Sequence, residues 1–173
     1  QNKEVLSLIH VMDPSTFDVD AVASVLNDAI VQYNVGAFFL DYIQKCTAKG
    51  PLVKTTTDRV QYVSERLTAD AKRTGIPIIG LSQFSRADGK KGMSNLKNSS
   101  QLEHDAHSIF VLRQLGEDND GIRMLECEAV KNRKGIKGTE LLKFHLPCQR
   151  IEHSGVHWKD VKQMKKAETV APF

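Results

Sequence analysis

The sequence of 173 residues lacks the features that define membrane, secreted or disulfide-bonded proteins. No apolar run approaches the roughly 18 residues that a membrane-spanning helix needs, and no signal-peptide pattern follows Gln1. The three cysteines are widely spaced and form no C-x-x-C pair, which favours buried, unpaired thiols in a reducing compartment. We therefore expect a cytoplasmic protein with no membrane partner.

The sequence also lacks a glycine-rich phosphate-binding loop of the form G-x-x-x-x-G-K-[ST]. Its Gly-Lys pair is Gly89-Lys90, where Phe84 stands in place of the first glycine and Lys91 in place of the Ser or Thr. If the protein handles a nucleoside triphosphate, the main grip on the phosphates must come from residues outside these 173.

The charge balance does not by itself define a partner. Lysine and arginine total 24 against 21 acidic residues, a net charge of +3 that permits an anionic partner without requiring one. The length suits one domain with a real hydrophobic core. We expect residues 1–153 to form that domain and residues 154–173 to form a basic tail.

The first half of the sequence alternates between short apolar runs and segments of helical periodicity. The predicted elements are strands at 5–12, 38–42 and 76–81, a helix between Asp18 and Gly36, and a helix between Thr55 and Gly75. This strand–helix order predicts parallel pairing through right-handed crossovers. We therefore expect an α/β fold with a mostly parallel, twisted sheet flanked by helices.

The second half has the pattern of antiparallel hairpin strands. Strands are predicted at 108–112, 123–131 and 139–146, followed by a short strand at 150–152. The acidic stretch 117–121 lacks the final glutamate of a calcium loop, so it is predicted to be a solvated hairpin turn.

Two polar residues follow predicted strands that are neighbours in sequence. Asp41 ends the apolar run that begins at Phe38, and Gln83 follows the run that ends at Leu81. Because ligands of open parallel sheets bind at the carboxyl ends of the strands, both side chains are candidates for one site. A carboxylate there can hold Mg²⁺ through water, and an amide can hydrogen-bond a phosphate oxygen. Polar strand ends without any ligand are the alternative.

Two other stretches carry basic residues. Lys131 and Arg133 alternate at a predicted strand end, so both are expected on one side, where two cations suit a phosphate. A solvated hairpin end is the commoner meaning of such a pattern. The polar stretch from Ser85 to Ser100, with Arg86 and Lys97, suits a single-stranded nucleic-acid backbone or is an ordinary surface loop.

Four ordered motifs resemble one protein family. Residues 40–44 read L-D-Y-I-Q, and residues 75–86 read G-I-P-I-I-G-L-S-Q-F-S-R. Residues 93–107 read M-S-N-L-K-N-S-S-Q-L-E-H-D-A-H, and residues 131–139 read K-N-R-K-G-I-K-G-T. Their order and spacing resemble the Walker B strand, the next strand, the DNA-loop stretch and the K-x-R hairpin of DnaB-type replicative helicases.

The resemblance implies a RecA-like motor domain that assembles into a ring, usually a hexamer, around single-stranded DNA. By that resemblance Asp41 supports Mg²⁺ and the hydrolytic water, and Gln83 senses the terminal phosphate of ATP. Lys131 and Arg133 reach the nucleotide of a neighbouring subunit, where an arginine stabilises charge on the transferring phosphoryl group. The residues expected to bind DNA are Arg86, Lys97, Asn98 and Ser100.

Several positions depart from the family pattern. Lys97 stands for the usual arginine, which keeps the charge but loses the planar fork. Asn98 and Ser100 replace the usual acid and glycine. The family's phosphate-binding loop and catalytic glutamate would precede Gln1, so we expect a fragment that does not hydrolyse ATP unaided.

These observations predict part of a ring-forming replicative DNA helicase that couples ATP hydrolysis to translocation on single-stranded DNA and duplex unwinding. The expected cofactors are ATP and Mg²⁺. The expected partners are single-stranded DNA, further copies in a hexamer, and a primase or helicase loader. Two alternatives stay open: another RecA-family ATPase, such as a recombinase or ring regulator, and a non-catalytic module that binds single-stranded nucleic acid or assembles a ring.

Overall fold

The computed structural model of the protein describes residues 6–13, 17–51, 53–83 and 100–156. The described chain divides into two compact units between Asp105 and Ala106. The predicted basic tail lies outside the described residues from residue 157 onward. Its boundary at residue 153 stays a prediction.

The first predicted helix is confirmed as α1, Val19–Tyr33. Asp18 caps its start, because the side-chain oxygen accepts a hydrogen bond of 3.0 Å from the N–H of Asp20. The helix ends before the predicted Gly36. Asn34 takes the left-handed conformation there, with φ 50°, and its short polar side chain tolerates that conformation better than most.

The second predicted helix is confirmed as α2, Thr56–Thr74. Thr55 and Asp58 form a reciprocal cap, in which the N–H of Asp58 donates to Thr55 Oγ1 at 3.1 Å and the N–H of Thr55 donates to Asp58 Oδ2 at 2.8 Å. Hydrogen bonding to Thr55, and then to Lys54, lowers the pKa of the Asp58 carboxyl. Gly75 ends the helix at φ 72°.

Two strands of the first unit pair in parallel, as predicted. They are β1, Phe38–Leu40, and β2, Ile78–Gly80, with Leu40 directly opposite Gly80. A side chain at Gly80 would begin only 2.6 Å from the tip of Ile43, so glycine permits this close packing. A short helix, α3, spans Ser100–Asp105.

The core of the first unit joins α1, α2 and β1 around one cluster of buried side chains. Its members are Val19, Val22, Leu40, Ile43, Cys46, Val63 and Leu67. Leu102 of α3 packs against this cluster. Burial raises the pKa of the Cys46 thiol. The expectation of buried thiols is correct only for Cys46, since Cys127 is half-buried and Cys148 is exposed, although all three are free.

The predicted buried strand at 5–12 is wrong for the part that the structure describes. The N–H of Ile9 bonds back to the carbonyl of Leu6 at 3.2 Å, which makes a turn, and Val11 is 90% exposed. His10 stacks on Tyr33 with 4.0 Å between ring centroids. A buried strand needs neighbours for its N–H and C=O groups, and no described strand pairs with this segment.

The second unit is a sheet of four antiparallel strands in sequence order, which confirms the predicted hairpins. The strands are β3, Ser108–Asn119; β4, Ile122–Asn132; β5, Thr139–His145; and β6, Arg150–His153. Near one end of the β3–β4 pair, Ile109 lies opposite Lys131 while Phe110 lies opposite Ala129. Val130 is therefore the extra residue of a β-bulge.

The acidic hairpin turn contains fewer residues than the predicted 117–121, and hydrogen bonds between side chains stabilise it. Only Asp120 and Gly121 form the turn, with φ 49° and 73°, as a tight two-residue hairpin requires. Asp118 is not simply solvated, because the Arg123 guanidinium donates to both its oxygens, at 2.9 and 2.8 Å. These hydrogen bonds lower the pKa of the Asp118 carboxyl. β3 and β4 extend beyond their predicted ends, and this bidentate pair joins them next to the turn.

Candidate functional site

Asp41 follows β1 directly and lies at its carboxyl end. Its neighbours Leu40 and Ile43 are buried, at 5% and 7% exposure, whereas Asp41 itself is exposed. The peptide bond between Asp41 and Tyr42 is cis. A single turn of 3-10 helix, Ile43–Lys45, then carries the chain away from the sheet. The Asp41 carboxylate is thus presented to solvent on a backbone anchored on both sides.

Backbone hydrogen bonds continue the pairing of β1 and β2 past the last strand residues. The N–H of Leu81 donates to the carbonyl of Leu40, and the N–H of Ile43 donates to the carbonyl of Leu81, both at 2.9 Å. The structure therefore brings Asp41 and the segment that leads to Gln83 to the same edge of the sheet. This juxtaposition follows from parallel pairing, as the sequence predicted.

Gln44 links the two strand ends through its side chain. Its Nε2 donates to Ser82 Oγ at 2.7 Å and to the carbonyl of Gln83 at a longer 3.5 Å, and its Oε1 accepts from the N–H of Gln83 at 3.3 Å. Gln44 belongs to the L-D-Y-I-Q motif, but the sequence predicted no role for it. The available signal was a polar residue three positions after Asp41, next to the apolar Ile43.

The predicted DNA-binding residues are mostly outside the described part of the chain. Arg86, Lys97 and Asn98 lie there, while Ser100 is the first residue of α3. The other end of α3 is anchored in the first unit, because Asp105 accepts a hydrogen bond of 2.7 Å from the hydroxyl of Ser64. A second bond of 2.9 Å to the same carboxylate comes from Gln101 within α3.

Burial and hydrogen bonding act in opposite directions on the pKa of Asp105 at this anchor. Partial burial opposes the charged form, but hydrogen bonds from Ser64, Gln101 and His104 outweigh it and lower the pKa of the Asp105 carboxyl. Asp105 is therefore held as a carboxylate. Like Gln44, it was quoted in a motif without a role, because the partner Ser64 lies 41 residues away in sequence.

The second unit holds the predicted cation pair at the end of β4 and the start of the connection to β5. Lys131 is half-buried within β4, whereas Arg133 lies just beyond the strand and is exposed. The N–H of Arg133 donates to the carbonyl of His107 at 3.0 Å, so its backbone is still tied to the segment before β3.

Asn132 stabilises the connection between the two strands. Its Oδ1 accepts a hydrogen bond of 3.2 Å from Ser108 Oγ, and its Nδ2 donates to the carbonyl of Ile136 at 3.4 Å. A side chain at Gly135 would begin 3.0 Å from Asn132 Cγ, so glycine leaves room for this contact. The connection that carries Arg133 is thus an ordered turn over the described residues 132–138.

We call Asp41 and Gln83, which lie beyond the carboxyl ends of β1 and β2, the strand-end site. Metal ligands are few there. Over the described ranges, no group of three His, Cys, Asp or Glu side chains is placed to hold a metal ion. A lone exposed carboxylate still fits Mg²⁺, which keeps several waters and commonly takes one or two carboxylates together with substrate phosphates. No helix among the described residues is long and apolar enough to span a membrane.

The fold and the strand-end site are typical of one class, the nucleotide-binding proteins. Such proteins commonly have mixed α/β domains with polar groups at the carboxyl ends of adjacent parallel strands. Residues 3–153 match the family described as DnaB-like helicase C terminal domain. The chain belongs to that family, which confirms the resemblance noted in its sequence.

Known relatives and solved structures agree with this assignment. The replicative DNA helicase DnaB of Geobacillus stearothermophilus is 26% identical over 144 residues, which are 79% of this chain and 32% of that protein. The chain therefore spans about a third of that relative's length.

Two solved structures are similar in fold. One is a DnaB-like replicative helicase studied for its interactions with primase, with TM-score 0.66 and 27% identity, covering 79% of this chain and 35% of that one. The other is an ATPase domain, with TM-score 0.72 and 25% identity, covering 84% of this chain and 54% of that one. The expected RecA-like α/β class, with antiparallel hairpin strands toward the C-terminus, is confirmed.

Proposed function

We propose that this chain is part of a ring-forming replicative DNA helicase that couples ATP hydrolysis to translocation on single-stranded DNA and duplex unwinding. The observation that carries the proposal is the meeting of Asp41 and the Gln83 segment at the carboxyl ends of two hydrogen-bonded parallel strands. Membership of the DnaB-like family supports it.

Asp41 and Gln83 have complementary tasks at the strand-end site. Asp41 is an exposed carboxylate, so it would hold Mg²⁺ through water and support the hydrolytic water. Bound Mg²⁺ supplies neutralisation of charge on the phosphate oxygens. Gln83 presents a neutral amide, which hydrogen-bonds a phosphate oxygen without repelling it. Gln83 makes this hydrogen bond only when the terminal phosphate is present, which is how it senses that phosphate.

Lys131 and Arg133 serve a neighbouring copy in this proposal. Arg133 is exposed and its backbone is tied to His107, so an ordered turn carries the guanidinium at the surface of its unit. A guanidinium supplied in trans stabilises charge on the transferring phosphoryl group. Hydrolysis would then depend on ring assembly.

The DNA-binding role of Arg86, Lys97, Asn98 and Ser100 stays a prediction. A primase partner is supported by the matching helicase that was studied with primase. A helicase loader and a cytoplasmic location also stay predictions.

The test is Mg²⁺-dependent ATP hydrolysis by the full-length gene product, with and without single-stranded DNA. We expect hydrolysis that DNA stimulates. Asp41→Asn should lower it at least about 100-fold, because metal support of the transferring phosphoryl group is worth several kcal/mol. The matched control is Asp28→Asn, an exposed aspartate on α1.

The outcomes separate the alternatives. Single-stranded DNA binding without any hydrolysis would favour the non-catalytic module. Hydrolysis that duplex unwinding never accompanies would favour another RecA-family ATPase. Full activity in Asp41→Asn would remove Asp41 from the site.

A further inference from the structure

We propose that Gln44 is a positioning residue, which fixes the backbone of Gln83 against the end of β1 and thereby sets where the Gln83 side chain begins. The inference rests on the proposed function, because it concerns how the strand-end site is held together. It assigns to Gln44 a part in the site without contact with nucleotide.

Beyond the paired strand ends, the side chain of Gln44 takes the place of a strand. Backbone pairing between the two strands ends at Leu81, because the Ile43–Lys45 turn then leads the first chain away. Beyond that point the Gln44 amide accepts from the N–H of Gln83 and donates toward the carbonyl of the same residue. The carboxamide thus continues the pattern of hydrogen bonds between the strands, because it bonds Gln83 as the backbone of a neighbouring strand would.

The orientation of the Gln44 amide is determined by its partners. The N–H of Gln83 can only donate, so it must face Oε1, which lies 3.3 Å away. That places Nε2 toward Ser82 Oγ at 2.7 Å, where the hydroxyl accepts. The reversed amide would set two donors against each other. The contact is therefore specific to a glutamine or a close substitute, and not a packing contact that any long side chain could provide.

The backbone next to Gln44 is itself well anchored. Ile43, the preceding residue, is buried and hydrogen-bonded through its N–H to Leu81. Asp41 and Gln44 lie on the two sides of this anchor, so the segment that presents Asp41 also holds Gln83.

The first experiment measures hydrogen exchange of the Gln83 amide in the full-length gene product, at single-residue resolution. In Gln44→Met, which keeps length but removes both hydrogen-bonding groups, exchange should be roughly fivefold faster, as expected for loss of one ordinary hydrogen bond. Gln44→Glu keeps the acceptor and should retain the protection. Gln61→Ala is the control, because Gln61 is an exposed residue of α2 bonded only to Glu65 among the contacts described.

The second experiment is a double-mutant cycle on ATP hydrolysis. Gln44→Met should lower kcat by up to about 100-fold, the loss that a displacement of about 1 Å of a reacting-site group can cause, while the KM for ATP changes less than about twofold. In a Gln83→Ala background the same change should have little further effect, because the group that Gln44 positions is already gone.

The two experiments distinguish failure of the inference from failure of the proposed function. Unchanged exchange at Gln83 in Gln44→Met, or effects of Gln44→Met and Gln83→Ala that simply add, would overturn the positioning role. A wild-type protein that hydrolyses no ATP overturns the function and the catalytic half of the inference. If Gln44→Met still loses protection of the Gln83 amide in a protein without ATPase activity, the result supports Gln44 as a residue that positions the Gln83 backbone.

Discussion

The hydroxyl of Ser64 donates a hydrogen bond of 2.7 Å to the carboxylate of Asp105, across 41 residues of sequence. It joins the middle of α2 to the last residue of α3. Ser64 is only 4% exposed, so water cannot readily replace it as the donor.

Ser64→Ala should lower the free energy of unfolding by about 1–2 kcal/mol, because it leaves a shielded carboxylate without its nearest donor. Urea denaturation at pH 7 measures the change. Ser24→Ala, an exposed serine on α1, is the matched control and should have little effect. Equal stability of the two variants would contradict the prediction.

The same contact predicts a pH dependence. The pKa of Asp105 is lowered in the folded protein, so its stabilising contribution is complete above the unfolded-state value of about 3.9 and is lost as the pH falls through the folded value. The difference between the wild type and Ser64→Ala should therefore be constant from pH 7 to about pH 5 and shrink below about pH 4. A difference that grows on acidification would show that the carboxylate is not the relevant partner.

Arg133→Ala should reduce ATP hydrolysis by the full-length protein by about 10³-fold or more, since a trans arginine contributes that much. Binding of a fluorescent ATP analogue should stay nearly unchanged. Lys134→Ala, the next exposed cation, is the control. Hydrolysis that survives in Arg133→Ala would contradict the role.

Mixing two inactive variants tests whether Arg133 acts in trans. A ring that contains both Arg133→Ala and Asp41→Asn subunits has some interfaces with an intact Asp41 on one side and an intact Arg133 on the other. We expect such mixed rings to regain part of the activity. A role within one subunit would leave the mixture as inactive as its components.

Lys97→Ala should weaken binding of single-stranded DNA to a similar degree for all sequences. It should also reduce the dependence of log K on log salt by about 0.7, the value for one phosphate contact to a single strand. Lys72→Ala, an exposed lysine on α2, is the control. An unchanged salt slope would remove Lys97 from the DNA path.

Helices were predictable from the sequence because their signals are local. The boundaries of α2 follow from Thr55, Asp58 and Gly75, all within or next to the helix. The two-residue turn at Asp120 and Gly121 is local in the same sense, and so is the Arg123–Asp118 pair beside it, whose members lie five residues apart.

The rest depended on contacts between distant residues. An apolar run such as 5–12 indicates a strand only if other strands are available to pair with it, and composition does not show that. The position of Asp41 beside the Gln83 segment could be predicted because parallel pairing dictates it. The role of Gln44 could not, because a side chain that replaces a strand depends on where the neighbouring backbone turns away.

The bulge at Val130 affects how this protein should be aligned with its relatives. Cross-strand partners share a face of the sheet, so Lys131 lies on the same face as Ile109. Without a bulge, regular alternation from Ala129 would place Lys131 on the opposite face. A relative that lacks the extra residue would present its lysine on the same face through a regular ladder. A gap at Val130 in an alignment therefore leaves the lysine on the same face of the sheet. A gap between Lys131 and Arg133 would instead change the spacing of the two cations.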